Sequence, residues 1–389
     1  MNPESPSPSG ADAPSGVDSR SGTDALSQAD ASDGADAGTA DPGGRGESRA
    51  ATLHDVARVA GVSLATASRV LNGSERKVAE GFRERVERAA ETLGYTPNVS
   101  AQSTARGRSP VIALLVADIA DPYFGQIAAG VARGADERGL VVTISITDRD
   151  PERERRILRA LRGQRPQGLI LAASRAEDAV APAASPDERA AFERYGGRVV
   201  SFGEERSSDR VGRSVVLDNA GGAVELGRRM AELGYRSAIG IGAAEGVRTS
   251  DDRLNGFARG FAEGGGRLER ILRGDFRRES GAAAMSGALA EGVAPGTLVF
   301  ALSDVVALGA MSAIRAAGRE IGADIAVCGF DDVPVSADVT PALTTVRLPL
   351  NDAGYQAFRA VVDDEWVQAP LPVEVVVRES TPALAYAGA

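Results

Sequence analysis

The sequence predicts two unlike parts: a small all-α helix-turn-helix headpiece, then an α/β core of two doubly wound parallel-sheet subdomains. Three observations carry this. The stretch TLHDVARVAGVSLATASRVLNG, 52–73, reads as two short helices about a tight turn. From Pro110 onward, apolar strand-like runs alternate with amphipathic helical segments, the pattern of parallel α/β sheets. Charge is also segregated. Residues 1–48 carry −7, residues 49–110 carry +4 and residues 111–389 carry −7, within a net charge of −10. An acidic chain thus places its one net-positive segment at the two-helix stretch, where it can meet a polyanion.

Residues 1–48 are nearly all Ser, Ala, Asp, Gly and Pro. Such a segment buries too little apolar surface to offset its ordering entropy, so a disordered acidic tail is expected. It is either inert or a competitor for the basic surface. The headpiece spans 49–97. Thr52 is a good N-cap and Asp55 completes a capping-box-like pair. Leu53, Val56, Ala57 and Ala60 form one apolar stripe, and Gly61 permits the turn. Ser63 caps the second helix. Ala67, Val70 and Leu71 then face inward and leave Leu64, Ala65, Thr66, Ser68, Arg69 and Asn72 for outside contacts. The start of a recognition helix points at base edges. Arg69 can bond guanine through two N–H groups, worth about 1–3 kcal/mol of discrimination. Leu64 and Ala65 offer apolar contact, and Ser63, Thr66 and Ser68 suit phosphates.

In the core, strands are expected at 111–118, 140–146, 168–173, 198–203, 237–242, 297–302 and 324–330. Helices are expected near 122–138, 151–162, 219–233, 251–263 and 304–317. Gly94, Gly234 and Gly318 stand where helix C-caps need glycine. So many units exceed one comfortable sheet, hence two subdomains.

The order of residues in the headpiece resembles the DNA-binding domain of the lactose-repressor (LacI/GalR) family. Thr52, Asp55, Val56, Ala57, Ala60, Gly61, Val62, Ser63, Thr66, Ser68, Arg69, Val70, Leu71 and Asn72 all match, and the likeness continues into a third helix, 84–98. The resemblance runs from about Thr52 to Ser380. It implies that Leu64, Ala65 and Arg69 read an operator half-site, and that a dimer binds a near-palindrome. It also implies a hinge at 98–109, where Thr104 stands in place of a minor-groove leucine. A threonine is a poor wedge. Ala79 and Phe82 also depart from the family's usual Ser and Thr. The expected DNA-contacting set is Thr52, Ser63, Leu64, Ala65, Thr66, Ser68, Arg69, Asn72, Asn98 and Thr104.

For the core, the resemblance implies a sensor module similar to periplasmic sugar-binding proteins, with ligand at the strand ends between the subdomains. DPYF (121–124) brings Asp121 and Phe124, with Asp121 also a good cap before Pro122. DDRLNGF (251–257) brings Arg253 to clamp sugar hydroxyls; Asp251 or Asp252 would otherwise be a helix cap. Phe276 would stack on a sugar face. In ALSDVVALGAM, Ser303 stands where the family has Asn, and Asp304 is read as the cap of the next helix. In CGFDD, Asp331 can accept two hydroxyl hydrogen bonds. PALTTVRLP (341–349) reads as a return crossing and VVVRES (375–380) as a closing strand. The N-subdomain is then 110–216 plus 350–366, and the C-subdomain 217–349 plus 367–389.

Other chemistry is poorly served. One cysteine, Cys328, forbids an intrachain disulfide, and one histidine, His54, leaves no nucleophile–His–acid set. GIGAAEG (240–246) has glycine spacing Gly-x-Gly-x-x-x-Gly, not that of a dinucleotide loop, and lacks the acidic partner. No Walker lysine or Cys/His zinc cluster is present. No cofactor, metal or membrane span is expected. The N-terminus does not read as a secretory signal, so a cytoplasmic homodimer is expected. It would be a regulator, most simply a repressor released by a sugar or sugar derivative. The alternatives are a regulator with a nucleobase or other metabolite as corepressor, a solute-binding protein for transport, and a purely architectural DNA binder.

Overall fold

The computed structural model describes residues 51–71, 78–96, 109–172, 186–194, 196–203 and 212–384. The acidic tail, nearly all of the hinge, and Asn72, Asn98 and Thr104 lie outside the described residues.

Three helices form the headpiece: α1 (Leu53–Ala60), α2 (Leu64–Leu71) and α3 (Glu80–Thr92). The Thr52 hydroxyl accepts from Asp55 N–H at 3.3 Å, and Thr52 N–H donates to Asp55 Oδ2 at 3.1 Å, a complete capping box. Gly61, at φ 61°, closes α1 by donating to Ala57 and Arg58 carbonyls. Only a residue tolerant of the left-handed region can end the helix this way. Ser63 Oγ accepts from Thr66 N–H at 3.1 Å and starts α2. Ala79 makes no side-chain cap for α3. Val56, Ala57, Ala60, Ala67, Val70, Val86, Ala89 and Ala90 fill one core. Small side chains let the three short helices approach closely.

The first sheet contains β1 (Ser109–Val116), β2 (Val141–Ile146), β3 (Pro166–Leu171), β4 (Arg198–Phe202) and β5 (Arg213–Val215) in the order β2-β1-β3-β4-β5. All its pairings are parallel, with Val116 opposite Ile146 and Leu115 opposite Leu171. Helices α4 (Pro122–Glu137), α5 (Pro151–Gln164) and α6 (Pro186–Arg194) connect these strands. Ile112, Leu114 and Val116 point to the face covered by α4, and Ala113 and Leu115 to the face covered by Leu158 and Leu161 of α5. Both faces of β1 are buried, so its run from Val111 to Val116 is continuously apolar rather than alternating.

After α7 (Asn219–Glu232) the second sheet holds β6 (Ser237–Ala243), β7 (Arg267–Gly274), β8 (Thr297–Ala301) and β9 (Ile325–Cys328), ordered β7-β6-β8-β9 and parallel throughout. Its helices are α8 (Arg248–Glu263), α9 (Arg278–Glu291) and α10 (Asp304–Ala316). Ala238, Leu298, Phe300 and Cys328 pack toward Phe257 and Phe261 of α8. Ile239, Ile241, Val299 and Val327 pack toward Met285 of α9 and Met311 of α10. The Phe257 ring lies 4.3 Å from that of Phe300 and 5.3 Å from that of Phe261.

The chain ends in a short helix, α11 (Val335–Asp338), then β10 (Thr345–Arg347), α12 (Leu350–Val362) and β11 (Glu374–Val376). β10 and β11 pair antiparallel. α12 returns to the first sheet: Ala353, Ala357 and Phe358 join the core of α4 and β1. The expected closing strand at 375–380 is shorter, ending at Val376, although Ser380 still accepts from Val327 N–H at 3.1 Å.

Strands β5 and β7 and helices α6, α9, α11 and α12 escaped the sequence pattern. β7, RLERILRG, is an edge strand with exposed arginines, so its apolar signal is broken. α9 is rich in Ala and Gly with no clear apolar face. β5 has three residues, and α6 is short and polar.

Candidate DNA-reading helix and ligand cleft

On the headpiece, Ser63, Leu64, Ala65 and Arg69 are exposed, and Thr66 and Ser68 are partly so. Leu64 is 39% exposed, a large apolar side chain left outside a core that had room for valines. The start of α2 therefore offers a leucine, an alanine and, one turn on, an arginine. Thr52 is placed differently. Its hydroxyl donates to Asp55 Oδ2 at 2.7 Å while accepting from Asp55 N–H, so it is committed to the cap. Those hydrogen bonds from Thr52, then that from Arg58, hold the Asp55 carboxyl far below the usual carboxylate range.

In the core, both parallel sheets reverse their strand order, at β1 and at β6. Ligands of open α/β sheets bind beyond the strand carboxyl ends at such points. Arg253 projects there from α8 and is 1% exposed. Its Nε donates to Asn219 Oδ1 at 2.9 Å and its Nη1 to the Leu302 carbonyl at 2.7 Å. Nη2 lies 2.8 Å from Asp331 Oδ1, and the guanidinium carbon sits 4.2 Å from the Phe330 ring centre. One side chain thus ties the start of α7 to the ends of β8 and β9.

Asp331 is 3% exposed, with φ 117°, and Asp332 follows at φ 54°. Non-glycine residues in that region are strained and cluster at functional sites. Although Arg253 is at ion-pair distance, Asp331 Oδ1 accepts no well-directed hydrogen bond. Burial pushes its carboxyl well above the usual range, and the adjacent Arg253 only partly opposes this.

Asp121 caps α4, accepting from Tyr123 N–H at 3.0 Å, with Pro122 in the first turn. Burial raises its carboxyl. Phe124 is 2% exposed and belongs to the core of the first sheet, edge-on to Tyr123 with centroids 5.0 Å apart. Tyr123, absent from the expected set, is the second DPYF ring; burial pushes its hydroxyl up, and Arg253 nearby partly opposes this. Phe276 is 9% exposed and borders the core of the second sheet, with the Arg149 guanidinium 4.1 Å from its ring centre. The face expected to stack on a ligand thus already carries a cation. Arg149 was missed because nothing in its local sequence marks it.

Ser303, not Asp304, caps α10: its Oγ accepts from Val306 N–H at 3.4 Å. Asp304 is fully buried and accepts from Val333 N–H, Ser336 Oγ and Thr345 Oγ1 at 2.9, 2.7 and 2.6 Å. Neither Asp251 nor Asp252 caps α8, because the helix begins at Arg248. Asp251 accepts from Gly246 N–H at 2.8 Å and pairs with Arg273 at 3.1 Å. Gly240 and Gly242 of GIGAAEG lie inside β6, and the Gly246 N–H is already taken by Asp251. Among the described residues, no helix is long and apolar enough to cross a membrane.

A helix-turn-helix unit in one chain with a two-sheet core and a charged site at its strand ends defines a DNA-binding regulator with a small-molecule sensor. Residues 52–98 match the model of bacterial regulatory proteins of the lacI family, and residues 228–381 that of a periplasmic binding protein-like domain. The chain is 34% identical over 346 residues to the HTH-type transcriptional regulator CelR of Thermobifida fusca, covering 85% of this chain and 98% of that one. It is 30% identical to the HTH-type transcriptional repressor CytR of Escherichia coli K12, covering 87% and 98%. A lac repressor dimer bound to operator and the anti-inducer ONPF superposes with TM-score 0.73 at 27% identity, covering 86% of this chain and all of that one. A CelR–cellobiose complex superposes with TM-score 0.60 at 31% identity, covering 85% and 99%. The chain belongs to the LacI family of bacterial transcriptional regulators.

Proposed function

We propose that this protein is a cytoplasmic, homodimeric repressor that binds a near-palindromic operator and is released by a sugar or sugar derivative. The observation that carries the sugar reading is the Arg253–Asp331 pair. A buried carboxylate oxygen without a directed donor, beside a fixed guanidinium at the strand ends, offers acceptor and donor to vicinal hydroxyls. Tyr123 and Asp121 line the same site, and CelR, a relative, has been seen with cellobiose. Residues 110–216 with 350–366 form one wall, and 217–349 with 367–389 the other. Sugar bound between the walls favours one arrangement of the dimer. The headpieces then lose register with the two half-sites, a shift in population rather than a new contact with DNA.

Ser63, Leu64, Ala65, Thr66, Ser68 and Arg69 make the DNA contacts, with Arg69 reading a base. Selecting bound duplexes from a randomised pool should return a two-fold symmetric site. Against that site, Arg69→Ala should lose discrimination between matched and mismatched half-sites while sugar binding persists; equal weakening on every sequence would reduce Arg69 to a phosphate contact. Asp331→Ala should keep operator binding and lose release by sugar. If the variant is still released at the wild-type sugar concentration, the effector site lies elsewhere. Operator binding tightened by a nucleobase would instead mark a corepressor.

A further inference from the structure

The cleft holds a second guanidinium that the hydroxyl chemistry of Arg253 and Asp331 does not use. Arg149 follows β2 at the carboxyl end of the first sheet. It has φ 55°, and Asp148 before it has φ 52°. Two successive non-glycine residues in the left-handed region match the strained pair at Asp331 and Asp332 on the other wall. This turn delivers the Arg149 side chain across to Phe276, 4.1 Å from its ring centre, with Phe124 at 6.0 Å.

The guanidinium is poorly satisfied there. Its Nε is buried and unpartnered. Among the described residues, the side chain makes no ion pair or hydrogen bond. The carboxylates that act on it do so from a distance: Asp121, Asp118 and Asp275. Each has its own donor. Asp121 accepts from Tyr123 N–H, Asp118 from Ala120 N–H, and Asp275 from Arg277 Nε. Arg253, by contrast, already bonds Asn219 and Leu302 and pairs with Asp331, and of its five N–H groups only the remainder can serve ligand hydroxyls. An aromatic face orients the Arg149 plane, and a planar fork of N–H groups fits a carboxylate or phosphate through two parallel hydrogen bonds. Leaving a half-buried cation with its Nε unpartnered is unfavourable.

We infer that the effector is an anionic sugar derivative, bearing a carboxylate or a phosphate, and that Arg149 pairs with that group while Arg253 and Asp331 engage hydroxyls. The inference rests on the cleft being a sugar site. Arg149 is then a specificity-determining residue for that anion.

The test is calorimetric titration of the full chain with matched sets: glucose, glucuronate and glucose 6-phosphate, and the galactose and mannose counterparts. In at least one set an anionic member should bind tenfold or more tighter than its neutral partner. Whether uronate or phosphate wins identifies the source of the anion. Arg149→Gln should bring that member to within about twofold of the neutral sugar, both measured on the same variant. Arg149→Lys, which keeps the charge but not the fork, should retain part of the preference and guards against misfolding of the first variant. Neutral sugars binding as tightly as their anionic partners, or a preference that survives Arg149→Gln, would overturn the role of Arg149 and leave the sugar site standing. No binding by any member of any set would overturn both.

Discussion

At the scale of single residues, Asp304 shows how a local signal is overridden. A carboxylate before a helix is normally its cap, yet Asp304 turns inward to join three donors from the 333–336 segment and β10. Burial raises its carboxyl to about 7 despite those donors. Because the folded value exceeds the unfolded one, the folded state binds more protons between about pH 4 and 7, and this group's contribution to stability falls as pH rises through that window. Asp304→Asn cannot accept all three donors and should lose about 1–3 kcal/mol in denaturant unfolding. It should also lose the pH dependence, so the gap from wild type narrows as pH rises from about 4 to 7. Cys328 is fully buried, and burial holds its thiol well above the usual value. A thiol reagent should label it at the rate of unfolding; rapid labelling of the native protein would contradict its placement in β9.

At the scale of elements, caps and close packing govern stability in opposite ways. Thr52→Ala removes a complete capping box and should destabilise the headpiece by about 1 kcal/mol, read as earlier loss of helical signal on heating. Two glycines in helices give a sharper contrast. A Cβ on Gly260 of α8 would lie 1.9 Å from the Val224 carbonyl oxygen of α7, backbone that cannot step aside. Gly260→Ala should therefore destabilise by about 1–3 kcal/mol or more, although alanine is the better helix former. On Gly81 of α3 a Cβ would meet nothing within 4 Å. There the same substitution should stabilise, by up to about 1 kcal/mol. Both substitutions read alike in the sequence; their opposite signs come from what crosses the helix.

At the scale of the whole molecule, segregated charge and linkage set the behaviour. The +4 of residues 49–110 can meet operator phosphates even though the chain carries −10. Operator affinity should fall steeply with salt, with a log–log slope near −0.9 per phosphate neutralised; a flat response would rule out phosphate contacts as the main source of affinity. An effector at a hundred times its dissociation constant should add about 2.7 kcal/mol to the stability of the core, visible as a raised Tm. The coupling is reciprocal. Whatever factor the effector removes from operator affinity, saturating operator must remove from effector affinity. Measuring both factors in one buffer checks that release is allosteric rather than competitive.

The sequence by itself determined the helix-turn-helix, the alternation that makes two parallel sheets, and the caps at Thr52, Ser63 and Asp121. Each of those is written within a few neighbouring residues: a side-chain period, a cap spacing, a glycine after a helix. The edge strand β7 and the Ala/Gly-rich α9 were hidden because neither shows a period to read. Only the tertiary structure decided that Phe124 packs into the core of the first sheet. It also decided that Ser303 caps where Asp304 was expected, and that Arg149 covers the face of Phe276. Those outcomes depend on residues far apart along the chain meeting in a low-dielectric site. There, desolvation and the geometry of a few donors outweigh any local preference.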